Sequence, residues 1–132
     1  MTKIRLLLVD DEQDFLTAYS RRFIRRNAEV TIASSGQEAL ERIAETEFDV
    51  VILDVMMPDM NGIETLRRIK AVAPDLPVII LTGHADHKTL IDGMDCGAFD
   101  FLLKPVGTDE LFFKVMDAVK SRSLTRPRRG DE

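Results

Sequence analysis

The sequence predicts an α/β fold built on one parallel, doubly wound sheet. Three observations predict it. Short apolar runs alternate with amphipathic stretches five times along the chain, and strand alternating with helix through short loops builds right-handed βαβ units. The first, third and fourth runs are nearly continuous Leu, Val and Ile, as in parallel strands buried on both faces. The length of 132 residues suits one domain with one real core.

The elements follow in order. Residues 4–9 read as the first strand. After Asp11, the residues Phe15, Leu16, Tyr19, Phe23 and Ile24 recur at helical spacing, and Arg21, Arg22, Arg25 and Arg26 occupy much of the remaining surface. Residues 29–33 read as the second strand. Ser35 and Glu38 form a capping-box signal ahead of Leu40, Ile43 and Ala44. Residues 49–53 read as the third strand. Asn61, with Glu64 three residues on, caps a helix carrying Ile63, Leu66 and Ile69. Residues 78–81 read as the fourth strand. Residues 86–96 form a weaker helix, interrupted by Gly93 and stopped by Gly97. Residues 99–103 read as the fifth strand. Thr108 opens the last helix, with Asp109 and Glu110 where acids complement the helix dipole and with Leu111, Phe112, Val115, Met116 and Val119 as its apolar face. Five such units give the flavodoxin-like (βα)5 fold with strand order 2-1-3-4-5. The domain is expected over residues 1–120, with 121–132 as a basic flexible tail or the start of a linker.

Composition excludes several classes. Apolar residues are 45% of the chain, and the longest uninterrupted apolar runs are four residues, against the ~20 needed to cross a bilayer. No signal-peptide core precedes the first acidic pair. The single Cys96 cannot form an internal disulfide, which fits a reducing cytoplasm. The net charge is −5, but five bases and two acids lie from Lys120 onward, leaving residues 1–119 at −8. An acidic body disfavours nucleic acid as a direct ligand.

Ligands of such folds bind beyond the carboxyl ends of the strands, where the strand order reverses. Strand 1 ends in Asp10-Asp11, strand 3 in Asp54, strand 4 in Thr82 and strand 5 in Lys104-Pro105. Each residue alone has a bland reading: a helix cap, a strand threonine, a surface lysine. Their convergence on one end of the sheet favours chemistry. Clustered carboxylates repel one another, and Mg²⁺ relieves this while completing its shell with phosphate oxygens. Lys104 suits a phosphoryl oxygen as a point charge, and Thr82 can donate to another. This set suits phosphoryl transfer, where positioning and charge neutralisation dominate. Asp54, between strands 1 and 4, is the best candidate nucleophile, forming an acyl phosphate.

Four motifs at these spacings resemble the response-regulator receiver domain of two-component signalling, over residues from about 3 to 120. They are Leu8-Val9-Asp10-Asp11-Glu12, then Ile52-Leu53-Asp54-Val55-Met56-Met57-Pro58-Asp59-Met60-Asn61-Gly62, then Leu81-Thr82-Gly83, then Gly97-Ala98-Phe99-Asp100-Phe101-Leu102-Leu103-Lys104-Pro105. The resemblance implies that Asp54 accepts a phosphoryl group from a phosphohistidine of a sensor histidine kinase or phosphotransfer protein. It implies Mg²⁺, with Mn²⁺ able to replace it, held directly by Asp11, Asp54 and the Met56 carbonyl, with Asp10 acting mainly through water. Lys104 would contact the phosphoryl group and Thr82 would hydrogen-bond it. The Lys104–Pro105 bond is typically cis in the family. Phe101 matches the switch aromatic, which turns inward as Thr82 moves. The face of the fourth helix, fifth strand and fifth helix would then read out the state, toward an unidentified effector or as a phosphorylation-dependent dimer. Such a domain is a cytoplasmic signalling switch rather than a turnover enzyme. Met56 and His84 sit at positions that tune hydrolysis in the family. Met56 lacks a group to orient water. His84 either orients water or sits at the rim.

Three rivals are weaker. A haloacid-dehalogenase-like phosphatase places its nucleophile after the first strand in an Asp-x-Asp pattern, absent from Asp54-Val55-Met56. A flavin-binding domain needs a phosphate loop where Asp10-Asp11-Glu12 would repel phosphate. A degenerate receiver would lack some of the five site residues, all of which are present.

Overall fold

A computed structural model describes residues 3–56, 61–83 and 86–125. The elements run β1 (Ile4–Val9), α1 (Gln13–Arg25), β2 (Ala28–Ala33), α2 (Gly36–Glu45), β3 (Val50–Leu53), α3 (Gly62–Val72), β4 (Val78–Thr82), α4 (His87–Asp95), β5 (Asp100–Leu103) and α5 (Thr108–Thr125). The strands form one parallel sheet in the order β2-β1-β3-β4-β5. This is the flavodoxin-like arrangement expected from the alternating pattern.

Alternation along the strands sorts the core into two layers. Leu6 and Leu8 of β1, with Val50, Ile52, Ile79 and Leu81, pack against Leu16 and Phe23 of α1 and Leu111, Val115 and Ala118 of α5. Leu7, Val9, Val51, Leu53 and Ile80 face the other way, against Ala39 of α2 and Leu66 and Ile69 of α3. Both faces of the three central strands are therefore covered, which explains their unbroken apolar runs. No helix among the described residues is long and apolar enough to cross a membrane.

Local signals operate with small displacements. Ser35 Oγ accepts from the Glu38 amide at 3.1 Å, but the returning Glu38 carboxylate accepts from the amide of Ser34 at 2.6 Å. The reciprocal box thus reaches one residue further back. Asn61 Oδ1 caps α3 through the Ile63 amide at 2.9 Å. Gly97 ends α4 with φ +102, a conformation that side chains resist. Gly93, read from the sequence as an interruption, has a packing reason: a Cβ there would lie 2.4 Å from Ile80 Cδ1. Its absence lets α4 approach β4. The last helix continues past residue 120 to Thr125. Arg122 on that extra turn donates to the Phe48 carbonyl at 2.8 Å, a contact no local pattern reveals. Residues 126–132 of the expected tail lie outside the described residues.

Candidate functional site

The site is assembled by backbone bonds that extend each strand by one residue. The Asp10 amide donates to the Ala33 carbonyl at 3.1 Å, the Asp54 amide to Val9 at 3.0 Å, and the Lys104 amide to Thr82 at 2.9 Å. Val9 and Leu53 are register partners, so the residues that follow them emerge side by side. Asp10 is 1% and Asp54 5% exposed.

Asp10 and Asp54 divide their oxygens in the same way. Asp10 Oδ1 accepts from the Glu12 amide at 3.0 Å, and Asp54 Oδ1 accepts from the Met56 amide at 2.9 Å. The second oxygens face Lys104, whose Nζ lies 2.6 Å from Asp10 Oδ2 and 3.7 Å from Asp54 Oδ2. Glu12 Oε1 completes the group at 2.9 Å from the same amine. Burial raises the Asp10 carboxyl above the usual carboxylate range, although Lys104 and the Glu12 amide pull the other way. Burial also opposes the charge on Lys104, but its hydrogen bonds to Asp10 and Glu12 outweigh that and hold the amine above its ordinary value.

One oxygen from each of Asp10, Glu12 and Asp54 lies within 4.8 Å of the others. An all-oxygen set with excess negative charge suits a hard divalent cation. Asp10 and Asp54 stand out in the sequence because each follows a strand, whereas Glu12 carries no such mark. Asp11, expected as a direct ligand, is exposed and stands outside this cluster. Glu12 is visible in the acidic run; that its carboxylate turns back to the Lys104 amine depends on the turn after β1, which spacing does not show.

Thr82 is fully buried, and its hydroxyl has no hydrogen-bond partner among the described residues. Phe101 is half-buried and packs against the core layer of α2 and α3. The Lys104–Pro105 bond is cis. The Met56 side chain is 47% exposed. His84 lies outside the described residues. Ile91 and Met94 of α4, Leu103 of β5, and Phe113 and Met116 of α5 are exposed apolar side chains.

Comparison with known proteins agrees with this geometry. The model of the response regulator receiver domain family matches residues 6–116. Regulatory protein AtoC of Escherichia coli K12 is 36% identical over 127 residues, covering 96% of this chain and 28% of AtoC. Response regulator MprA of Mycobacterium sp. strain KMS is 35% identical over 129 residues, covering 98% of this chain and 54% of MprA. This chain therefore spans only part of these relatives. Among solved structures, a CheY-like receiver domain protein from Methanospirillum hungatei superposes with a TM-score of 0.92 at 26% identity, covering 95% of this chain and 100% of that one. A receiver domain protein from Clostridium thermocellum gives 0.88 at 37% identity, covering 93% and 99%. With the strand order, the acidic cluster and these matches in agreement, the chain belongs to the response regulator receiver domains, the signalling switches of two-component systems.

Proposed function

We propose that Asp54 accepts a phosphoryl group from the phosphohistidine of a partner kinase or phosphotransfer protein. The observation that carries this reading is the half-buried Lys104 amine, set between the buried Asp10 and Asp54 at the end of the sheet. Asp54 Oδ2 stands 3.7 Å from the amine, beyond hydrogen-bond length, so it keeps its lone pairs for attack on phosphorus. The P–N bond of the donor breaks as the O–P bond forms, and the histidine ring leaves with the electron pair. Lys104 then lies close enough to move onto a phosphoryl oxygen, which neutralises developing charge without itself reacting.

Mg²⁺, or Mn²⁺ in its place, would be held by Asp10, Asp54 and the Met56 carbonyl. Asp11 is the ligand the family resemblance supplies, and Glu12 the one the carboxylate cluster suggests. When bound, the cation supplies positive charge to the phosphoryl oxygens. An aspartyl phosphate brings about two negative charges and three acceptors. The buried Thr82 hydroxyl suits one of those acceptors, and its displacement would open space for Phe101. The exposed apolar side chains of α4, β5 and α5 then form the readout face, for an effector or a phosphorylation-dependent dimer. On this reading the domain is a cytoplasmic switch rather than a turnover enzyme, and its acidic body does not itself bind nucleic acid.

Incubation with acetyl phosphate and Mg²⁺, followed by intact mass, tests the assignment. A single added phosphoryl group is expected, absent in Asp54→Asn and in excess chelator. No gain in the native protein, or an equal gain in Asp54→Asn, overturns it. A further prediction concerns lifetime. The exposed thioether of Met56 cannot orient an attacking water. Met56→Asn is therefore expected to shorten the acyl-phosphate lifetime severalfold, read by loss of the mass increment over time. A longer lifetime than that of the native protein contradicts this.

A further inference from the structure

Lys104 also touches a group that no carboxylate chemistry requires. Its Nζ lies 4.2 Å from the centre of the Phe15 ring. Phe15 stacks on Tyr19, one helical turn further along α1, with centroids 4.4 Å apart and planes at 22°. The Tyr19 hydroxyl donates to the Val106 carbonyl at 2.5 Å, two residues beyond Lys104. Arg22 lies over the Tyr19 ring, 4.9 Å from its centre, and its Nη1 is 3.4 Å from Thr108 Oγ1. Leu16 and Phe23 on the same helix are fully buried. Phe15 and Tyr19 are only partly so, because they form the wall of α1 that borders the acidic end of the sheet.

We propose that Phe15, backed by Tyr19, is a positioning residue for the Lys104 amine in phosphoryl transfer. The inference rests on the reading of Asp54 as phosphoryl acceptor. A lysine amine sits on a flexible four-carbon stem. Hydrogen bonds to Asp10 and Glu12 hold it in the resting site, yet a phosphoryl group on Asp54 requires it to turn toward new oxygens. A carboxylate partner resists that movement because its attraction is directional and strong. The face of an aromatic ring attracts the ammonium without fixing its donors. The amine can therefore rotate between acceptors while it stays over the ring. Tyr19 holds the arrangement from both ends, since its ring supports Phe15 and its hydroxyl anchors the turn that carries Lys104.

The test compares Phe15→Leu, Phe15→Trp and Tyr19→Phe in the full chain. Two readouts are taken: the rate of phosphorylation by acetyl phosphate with Mg²⁺, and the ε-methylene proton resonances of lysines labelled with carbon-13. The Lys104 signal is assigned through Lys104→Arg. In the native protein the ring should shift that signal upfield of the other lysines. Phe15→Leu should return it toward them and slow phosphorylation about threefold to tenfold. Phe15→Trp should keep both properties, since indole is the strongest cation partner. Tyr19→Phe keeps the stacked ring and loses only the anchor, so it should show a smaller loss of rate. A native rate in Phe15→Leu overturns the proposal. Equal slowing in the Leu and Trp variants, with the Lys104 signal unmoved, assigns Phe15 a purely structural role and also overturns it. If the native protein accepts no phosphoryl group, the acceptor reading fails instead, and the lysine resonances still decide whether the ring holds the amine.

Discussion

Replacing Gly62 by alanine is expected to lower the stability of the domain by about 2–4 kcal/mol and to weaken phosphoryl acceptance at Asp54. Two effects of opposite sign compete. Gly62 opens α3, and alanine in a helix is favoured over glycine by about 0.5–1 kcal/mol. Against this, a Cβ at residue 62 would lie 2.2 Å from Val55 Cα and 2.6 Å from the Val55 carbonyl oxygen. Both are backbone atoms, so no side-chain rotation relieves the overlap. Either α3 must lift from the sheet, disturbing the buried Leu66 and Ile69, or the backbone after β3 must shift. That backbone carries the Met56 amide that binds Asp54 Oδ1, so the strain reaches the acceptor. Gly107 serves as the control, because a Cβ there meets nothing within 4 Å and Gly107→Ala should be nearly neutral. Urea denaturation of both variants decides the matter. A Gly62→Ala variant as stable as the native protein would show that the helix preference outweighs the contact.

Gly62 also marks where the sequence stops being informative. Its place at the start of α3, just past the Asn61 cap, is legible, but the close approach to Val55 is a tertiary fact. The same division runs through the site. Asp10, Asp54 and Lys104 could be located because each ends a strand, and the parallel register sets strand ends side by side. Thr82 was found by the same logic. Glu12 was not, because two residues past a strand the direction of a side chain depends on the turn. Phe15 and Tyr19 are legible only as members of an apolar helix face; the contact of Phe15 with Lys104 and that of Tyr19 with the Val106 carbonyl span most of the chain. Gly93 reads locally as an interruption of α4, while its missing side chain answers to Ile80 on another element. The end of α5 escaped for a similar reason, since Arg122 reaches a carbonyl 74 residues earlier. Period and caps do not describe the turn that aims Glu12, and the remaining contacts escape them because they are made at long range.

Lys104→Met is expected to destabilise the domain by about 2–4 kcal/mol in excess chelator at neutral pH, and Mg²⁺ should then restore more stability than it adds to the native protein. The amine is the cation that the described structure sets against Asp10 and Asp54, both nearly inaccessible to water. Methionine keeps much of the stem's volume and removes the charge. Two buried carboxylates would then face each other with Glu12 nearby and no amine between them. Burial already raises the Asp10 carboxyl with Lys104 present, and losing the amine raises it further. A carboxyl with a raised folded-state value binds protons more readily folded than unfolded. The variant should therefore regain stability as pH falls through that raised value and lose it as pH rises. Mg²⁺ acts on the same deficit. A ligand that binds only the folded state stabilises it in proportion to the logarithm of its concentration over Kd, and in the variant it no longer competes with an amine for the same oxygens. Phosphoryl acceptance should fall nonetheless, because the point charge that meets the phosphoryl oxygen is gone. Thermal denaturation with and without Mg²⁺ at several pH values, set beside phosphorylation by acetyl phosphate, separates the two roles. Equal stability of variant and native protein in chelator would show that the carboxylates do not depend on this lysine. A Mg²⁺ increment no larger than that of the native protein would show that amine and cation do not compete.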